Sequence, residues 1–266
     1  MPANPYQSIE TGMPGRIGWR IHYFEEVGST QKVAAEMAEE GAAHGTIVIA
    51  ERQSAGRGRM GRAWHSPPGL NLYQTIILRP SAMPIAEAPR LSLVAGVAAA
   101  EALESVAPGL VALKWPNDVW LRGRKAGGII AEAVTDPGQG LQCVLLGIGI
   151  NVNLAADQIL DELRDKATSV RIATGRVCDR IALEAALCNR LDSRYMEVQQ
   201  HGFAAVRPAW QAYSALTGRR VTIVDGDVRI AGTVSGIDAE GALMLETASG
   251  PARILTGDVS VEGAYD

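Results

Sequence analysis

An excess of basic residues, a high aromatic content, paired cysteines and long apolar runs are all missing from this 266-residue chain. Each absence excludes a class of protein. Lys and Arg number 25 against 29 Asp and Glu, a formal net charge of −4. Non-specific attachment to a phosphate backbone draws on an excess of Lys and Arg, so it is disfavoured. Cys143, Cys178 and Cys188 are an odd, widely spaced set with no C-x-x-C pair, so neither a disulfide framework nor a zinc site is expected. The longest apolar stretch, Leu91 to Ala100, runs ten residues before Glu101, whereas a membrane helix needs about 20. The opening MPANPYQSIETGMPGR has no apolar core and no early basic region, so it is not read as a secretory signal. The expected setting is soluble, reducing and cytoplasmic. Aromatic residues make up only 5%, with five tryptophans, so each Trp carries more information than usual.

What is present is ordinary globular composition, 47% hydrophobic and 20% charged, which excludes disorder, collagen-like repeats and a coiled coil. A chain of 28.2 kDa is large enough for one main core and a small satellite domain. Residues 1 to 15, with three prolines and two glycines, are expected to be a mobile arm. WRIHYFEEV (19 to 27), TIVIAE (46 to 51), NLYQTIILR (71 to 79), LVALKW (110 to 115), DVWLR (118 to 122), GIIAEAV (128 to 134) and LQCVLLGIGINVN (141 to 153) read as strands. Between them, Ser29 and Thr30 open a helix that stops at Gly41, and Leu91 to Val106 reads as a buried Ala-rich helix. Asp179 caps a long helix to Gln200 with Ile181, Leu187, Leu191, Tyr195 and Val198 on one face. Beyond Leu216 the texture changes to short β-rich runs broken by DG, SG and EG turns. That predicts a catalytic-size unit over 16–214 and a small antiparallel barrel over 215–266. Strands and helices mix without strict alternation, so the class is α+β.

SAGRGRMGRAW (54 to 64) is the most unusual stretch. Gly56, Gly58 and Gly61 spell G-x-G-x-x-G after a strand, which suggests a dinucleotide fingerprint. That fingerprint must open a helix and be followed by an acid about 20 residues on. Here HSPPG follows, and no acid occurs between Glu51 and Glu87; the reading is rejected. What the loop offers is three guanidiniums, Arg57, Arg59 and Arg62, among glycines that let backbone N–H groups approach an anion.

Three further clusters follow. KWPND (114 to 118) places an amide and a carboxylate, Asn117 and Asp118, at a strand end. In RKAGGIIAE (124 to 132), Lys125 stands before Gly127 and Gly128, which permit close ligand approach. GIGINVN (147 to 153) is a glycine-rich strand ending in asparagines. Taken alone, each has a plain alternative: a solvated basic loop, a turn, a surface lysine, a packed strand. Taken together, they supply what joining a carboxylic acid to a nucleotide α-phosphate needs, fixed cations that offset the repulsion between two anions.

With those residues in place, the chain resembles biotin protein ligases over roughly residues 19 to 262. EVGSTQ, GRGRMGRAW, KWPND, KAGGIIAE and GIGINVN match five family elements in order. The resemblance implies a mixed central sheet flanked by helices, like class II aminoacyl-tRNA synthetases, with an SH3-like C-terminal barrel. It also implies a two-step reaction. Biotin and Mg-ATP give biotinyl-5′-AMP and pyrophosphate, and a lysine of a carboxylase's biotin carboxyl carrier domain then takes the biotin.

Carried over by motif, Ser29, Thr30, Gln31 and Gln53 would hydrogen-bond the ureido ring, and Gly56, Gly127 and Gly128 would line the biotin slot. Arg57 and Arg59 would contact carboxylate and phosphates, with Gly58, Arg62 and Gly149 as further ligand positions. Lys125 would bridge the biotin carboxylate and α-phosphate. Asn117 and Asp118 would serve metal, ribose or incoming lysine, Asp118 chiefly orienting the acceptor amine and being the one candidate Mg2+ ligand. Trp64 would order the loop and Asn151 would lie near the nucleotide. Lys125, Arg59 and Asp118 are the expected catalytic set.

Two departures stand out: Met60 where relatives can carry arginine, and Gln31 where asparagine is commoner. An arm of about 15 residues cannot hold a winged helix-turn-helix, so a ligase without repressor function and without DNA binding is expected. Strand runs at a sheet edge leave room for a homodimer. A lipoate or octanoate ligase, a biotin- or nucleotide-sensing regulator, and an adaptor built on the barrel are the competing readings. His44 and His65 have no nucleophile or metal partner in the pattern and are read as loop-packing groups.

Overall fold

The computed structural model describes residues 4–12, 17–81, 83–136, 138 and 140–261. It begins with a helix, α1 (Gln7–Gly12), followed by β1 (Arg20–Val27), α2 (Thr30–Glu39), β2 (Thr46–Gln53) and β3 (Leu72–Leu78). Next come α3 (Arg90–Glu104) and four strands, β4 (Val111–Lys114), β5 (Asp118–Leu121), β6 (Arg124–Asp136) and β7 (Gly140–Ile150). Three helices, α4 (Val170–Thr174), α5 (Arg180–His201) and α6 (Arg207–Ala212), lead to β8 (Arg220–Asp225), β9 (Val228–Ile237), β10 (Leu243–Thr247), β11 (Gly250–Ile254) and β12 (Asp258–Val261).

The first seven strands form one sheet in the order β1-β2-β3-β7-β6-β5-β4. Only β1 and β2 run parallel, because α2 carries the chain back between them. The sheet is therefore mixed, as the irregular alternation of elements predicts. Its two faces are covered unequally. On one face, α3 and α5 seal the main core through Leu91, Val94, Val97, Leu187 and Leu191 against Ile76, Ile129, Leu146 and Ile148. On the other, α2 covers a small patch, with Ala34 and Ala38 on Val48, Ile77 and Leu145. Past that patch, Thr75 and Gly147 lie under the first turn of α2, against Thr30 and Gln31, and the same face then presents Gly149 and Gly128 beyond the helix. Period-2 alternation places these residues on the α2 side. The site lies there.

The five C-terminal strands form an antiparallel sheet in the order β11-β10-β9-β8-β12, the SH3-like unit. Its core is Val221, Ile223, Val234, Leu243 and Leu245. The junction is hydrogen-bonded rather than free. Leu113 donates its N–H to the Tyr213 carbonyl at 2.7 Å, and Ala215 donates to Leu113 at 2.8 Å, so the outer edge of β4 is taken. Trp115 Nε1 donates to the Gly241 carbonyl at 3.0 Å across the two units.

The mobile arm expected over residues 1–15 needs correction where it is described. Tyr6 and Ile9 are buried, Tyr6 to 1% exposure, and Arg180 Nη1 reaches the Tyr6 hydroxyl at 3.3 Å. An aromatic side chain with a hydrogen-bonded hydroxyl anchors a short segment that prolines and glycines alone would leave loose. Residues 1–3 and 13–16 lie outside the described residues.

Asp179 caps α5 as expected, its carboxylate accepting from the Ile181 and Ala182 amides at 2.9 and 3.1 Å. The buried face differs in one respect, because it contains an acid. Glu184 is fully buried, accepting from Gln74 Nε2 at 2.9 Å and from the Cys188 thiol at 3.2 Å. Burial pushes its carboxyl up to about 7, against smaller opposing effects of the Cys188 and Gln74 hydrogen bonds. Between the ordinary value of 4.5 and about 7, the folded chain keeps a proton that the unfolded chain has lost. Stability therefore falls as pH rises through that window. Glu184→Gln removes the titration; its oxygen keeps the bond from the Cys188 thiol, and its amide donates to Gln74 Oε1, which has no partner in the parent, once the Gln74 amide turns over. In urea titrations at pH 5 and pH 8 it is expected to flatten the pH dependence and to be more stable than the parent at pH 8 by about 2 kcal/mol.

Candidate functional site

The uncovered part of the sheet forms the floor of a cleft of about 610 Å³, within the size range of small-molecule sites. Gly128 on β6 and Gly149 on β7 are cross-strand partners. The loop between β2 and β3 folds over them and lays the Trp64 indole on the pair. A Cβ on Gly149 would come within 2.8 Å of the indole Cε2 and Nε1. Gly56 fits the loop itself for the same reason: a Cβ there would stand 2.5 Å from the Trp64 carbonyl oxygen.

The loop is closed by its own backbone. Gly58 donates to Arg62 O at 2.7 Å and Trp64 donates to Gly56 O at 2.9 Å. Met60 and Gly61 occupy the left-handed region at φ 55° and 73° and reverse the chain between the arginines. Arg59 and Arg62 are thereby sent to different partners. Arg59 Nη1 donates to Asn117 Oδ1 at 3.1 Å, and Arg62 pairs with Asp258 at the start of β12. Arg57 is exposed at the cleft mouth.

At the other side of the floor, Lys125 Nζ lies 2.7 Å from Asp118 Oδ1 and 5.5 Å from the centroid of the Trp64 ring. Asn117 is fixed by donating Nδ2 to the Ile129 carbonyl at 3.0 Å. The Trp115–Pro116 peptide in this turn is cis. Arg59, Asn117, Asp118 and Lys125, named from three separate motifs, are thus brought into one continuous arrangement.

The inner end of the cleft is a chain of amides and hydroxyls. Gln53 Oε1 accepts from the Thr30 amide at 2.9 Å and its hydroxyl at 3.1 Å, while Gln53 Nε2 donates to Ser66 Oγ at 3.1 Å. Thr75 Oγ1 lies 3.0 Å from both Thr30 Oγ1 and Gln31 Oε1. Gln31 Nε2 donates to Glu132 at 3.0 Å and to the Leu145 carbonyl at 3.2 Å. Ser29 occupies the α2 N-cap position, but its hydroxyl makes no capping bond. It faces the cleft, and Gln53 serves the amide of Thr30 instead.

Ser29, Thr30, Gln31, Gln53, Arg57, Gly58, Arg59, Arg62 and Trp64 all line the cleft. So do Asn117, Asp118, Lys125, Gly128, Gly149 and Asn151. Gly56 and Gly127 do not line it. Gly127 faces the other side of the sheet, where a Cβ would meet the Gly149 carbonyl at 2.9 Å and Val119 at 3.4 Å. Asn151 reaches the wall but donates its amide to the Thr168 carbonyl at 3.0 Å. No group of three or more His, Cys, Asp and Glu comes together among the described residues, and these residues therefore offer no all-protein metal cage. His44 is a packing group: its Nδ1 accepts from the Arg79 amide at 2.8 Å, and burial pushes its pKa down.

Sequence reasoning missed Lys114, Thr75, Ser66 and Asp258. Lys114 lay inside a recognised motif, in the apolar run LVALKW, where a lone cation was a signal. Asp258 could not be found that way, because it comes from the second unit.

The biotin/lipoate A/B protein ligase family model matches residues 23–151, and the biotin protein ligase C terminal domain model matches residues 216–261. The chain is 36% identical over 245 residues to the bifunctional ligase/repressor BirA of Bacillus subtilis, covering 92% of this chain and 75% of that one. It is 35% identical over 238 residues to the biotin–[acetyl-CoA-carboxylase] ligase of Paracoccus denitrificans, covering 88% and 98%. Among solved structures, the biotin protein ligase from Aquifex aeolicus in complex with biotin and ATP superposes with a TM-score of 0.79 at 30% identity, covering 91% of this chain and 98% of that one.

Gly149→Ala tests the floor directly. The added methyl displaces the indole, at a cost of about 1–3 kcal/mol for overpacking. The expected readout is a red shift of tryptophan emission with faster proteolysis between Gly58 and Arg62, while a same-size change at exposed Gly28, where an added Cβ meets nothing within 4 Å, leaves both unaltered.

Proposed function

The chain belongs to the biotin/lipoate A/B protein ligase family and is a biotin–protein ligase, and on that premise we propose how its cleft works. Biotin enters with its ring toward Ser29 and Thr30 and its valeryl chain along Gly128 and Gly149 under Trp64. Mg-ATP enters from the mouth. A biotin carboxylate oxygen bonds to the α-phosphorus, the bond from that phosphorus to its bridging oxygen breaks, and pyrophosphate leaves. An acceptor lysine amine then attacks the acyl carbon of biotinyl-5′-AMP and AMP leaves.

The observation that carries this reading is the pairing of a glycine floor with fixed cations at one end. Lys125, directed over the floor, bridges carboxylate and α-phosphate. Arg59 turns from Asn117 to the phosphate, and Arg57 adds a second guanidinium at the mouth. Preorganised cations of this kind offset both the repulsion between two anions and the charge developing at phosphorus. Asp118, released from Lys125 when an anion takes that lysine, orients the acceptor ammonium and accepts its proton. Mg2+ would enter as part of the nucleotide substrate, and Asp118 and Asn117 in the cleft would offer it oxygen donors, which fits a cation that binds chiefly through substrate phosphates and water.

Gln31 and Gln53 take a different part from direct ureido ligands. Their amides are committed to protein partners, so they shape the ring subsite. The acceptor is proposed to be the biotin carboxyl carrier domain of an acetyl-CoA or related carboxylase, which the name of the Paracoccus relative supports. No DNA-binding or repressor role is proposed, in keeping with the net charge of −4. A cytoplasmic setting suits three free cysteines, and no helix among the described residues is long and apolar enough to cross a membrane. A homodimer is retained as a proposal with the β4 edge excluded as its seam, because residues 213–215 occupy it.

Pyrophosphate exchange into ATP, run with biotin, lipoate, octanoate or no acid, tests the reading. Exchange with biotin alone is expected. Exchange with lipoate alone moves the chain to the lipoate branch of the family, and tight biotin binding without exchange makes it a sensor. Arg59→Ala is expected to release the adenylate about 10–100-fold faster, the worth of one charge-assisted hydrogen bond, measured as loss of labelled biotinyl-5′-AMP from the isolated complex.

A further inference from the structure

Lys114 ends β4 and lines the cleft beside the barrel, its register partner across the turn being Asp118. Its Nζ stands 5.2 Å from the centroid of the Trp120 ring. Among the described residues it has no carboxylate within salt-bridge distance and no hydrogen bond. The two acids that face it are already taken, Asp118 by Lys125 at 2.7 Å and Asp258 by Arg62. Two further cations, Lys125 and Arg62, face it as well. Burial pushes its ammonium below the usual lysine range; Asp118 and Asp258 oppose that shift, and Lys125 and Arg62 reinforce it. A cation kept half-buried with its anions committed elsewhere costs stability, and an apolar side chain would continue the strand pattern of LVALKW. The position is arranged for an anion that arrives from outside.

The chemistry of that anion follows from the neighbours. Lys125 is on the glycine floor, where the acid and α-phosphate meet. Lys114 lines the same cleft on the side of β12, facing Asp258 and Arg62 as well as Asp118 and Lys125, so a polyanion whose α-phosphate meets Lys125 has a second cation within the same cleft. A lysine ammonium is a compact, three-donor point charge, suited to a polyanion whose oxygens rearrange as it departs. We propose that Lys114 holds the β- and γ-phosphates of the nucleotide and stabilises pyrophosphate as it leaves, a task separate from that of Lys125. This rests on reading the cleft as a site of acid adenylation. As the bond between α-phosphorus and bridging oxygen breaks, the electron pair stays on that oxygen. The charge gained by pyrophosphate develops next to Lys114.

The test compares the parent with Lys114→Met and Lys114→Arg in three measurements. These are calorimetric titration with inorganic pyrophosphate, pyrophosphate–ATP exchange, and single-turnover transfer from added biotinyl-5′-AMP to a carrier domain. Lys114→Met is expected to weaken pyrophosphate binding and to slow exchange, each about 10–100-fold, the range for losing a charged hydrogen bond. Transfer from the preformed adenylate stays within about twofold, a span well below one charged hydrogen bond. Lys114→Arg recovers most of the exchange. The melting midpoint of Lys114→Met is unchanged or higher, since a buried unpaired charge has gone; a structural role would lower it. Unchanged pyrophosphate binding, or transfer slowed as much as exchange, overturns the proposal. If the parent shows no exchange with any acid, the adenylation reading fails. The titration then still decides whether Lys114 is a polyanion site.

Discussion

Crowding of like charge is the constraint around which this cleft is built. Arg57, Arg59, Arg62, Lys114, Lys125 and Lys166 all line it, and the repulsion among six cations must be held down before any ligand enters. The protein does so with few counter-charges. Asp118 takes Lys125 and Asp258 takes Arg62. Arg59 is given a neutral partner, the Asn117 carbonyl. Lys114 is set over an aromatic face, where the ring quadrupole recovers only part of the lost hydration. Each device holds a cation in place without neutralising it so firmly that a phosphate could not displace the partner.

A second requirement is that a ligand must come close to the sheet itself. Over most of the sheet, side chains and helices fill that layer. Over β6 and β7 the α2 face is cleared to glycine, and the indole of Trp64 rests where side chains would otherwise stand. The hydrogen-bonded chain from Thr30 through Gln53 and Ser66 to the Trp64 carbonyl ties the start of α2 to the end of the loop. The two walls therefore move together, and neither could be repositioned without leaving buried amide groups unpaired, a loss of about 1–3 kcal/mol for each. The barrel joins the same unit by the Trp115–Gly241 hydrogen bond and the Arg62–Asp258 pair, so one wall of the cleft belongs to a different part of the chain.

Much of this was legible from sequence because the chemistry sits in short motifs with special backbone needs. Glycines beside arginines, a proline-asparagine-aspartate turn and a glycine-rich strand announce themselves, and periodicity located the seven strands of the main sheet. What escaped were features set by contacts distant in sequence. Gly56 and Gly127 read as ligand-facing glycines, yet they accommodate the Trp64 carbonyl and the Gly149 carbonyl. Gln53 read as a ligand donor, but it caps α2 in place of Ser29. Tyr6 buried itself within a segment whose composition suggests looseness. Glu184 falls on the helical face that periodicity assigns to the core, and only its distant partners Gln74 and Cys188 explain how an acid is tolerated there.

The two departures from the family pattern acquire different meanings in this setting. Met60 is exposed to solvent and does not line the cleft. Its contribution is conformational: with Gly61 it holds the left-handed reversal that sends Arg59 and Arg62 to separate partners, at a cost of about 1–3 kcal/mol for a non-glycine residue in that region. Gln31 differs, because its extra methylene is spent inside. The amide reaches across to Glu132 and the Leu145 carbonyl, and its Oε1 lies 2.7 Å from where a Gly147 Cβ would stand. The substitution thus fills space at the closed end of the cleft and satisfies its own polar atoms there, beside the hydroxyl of Ser29, which makes no capping bond.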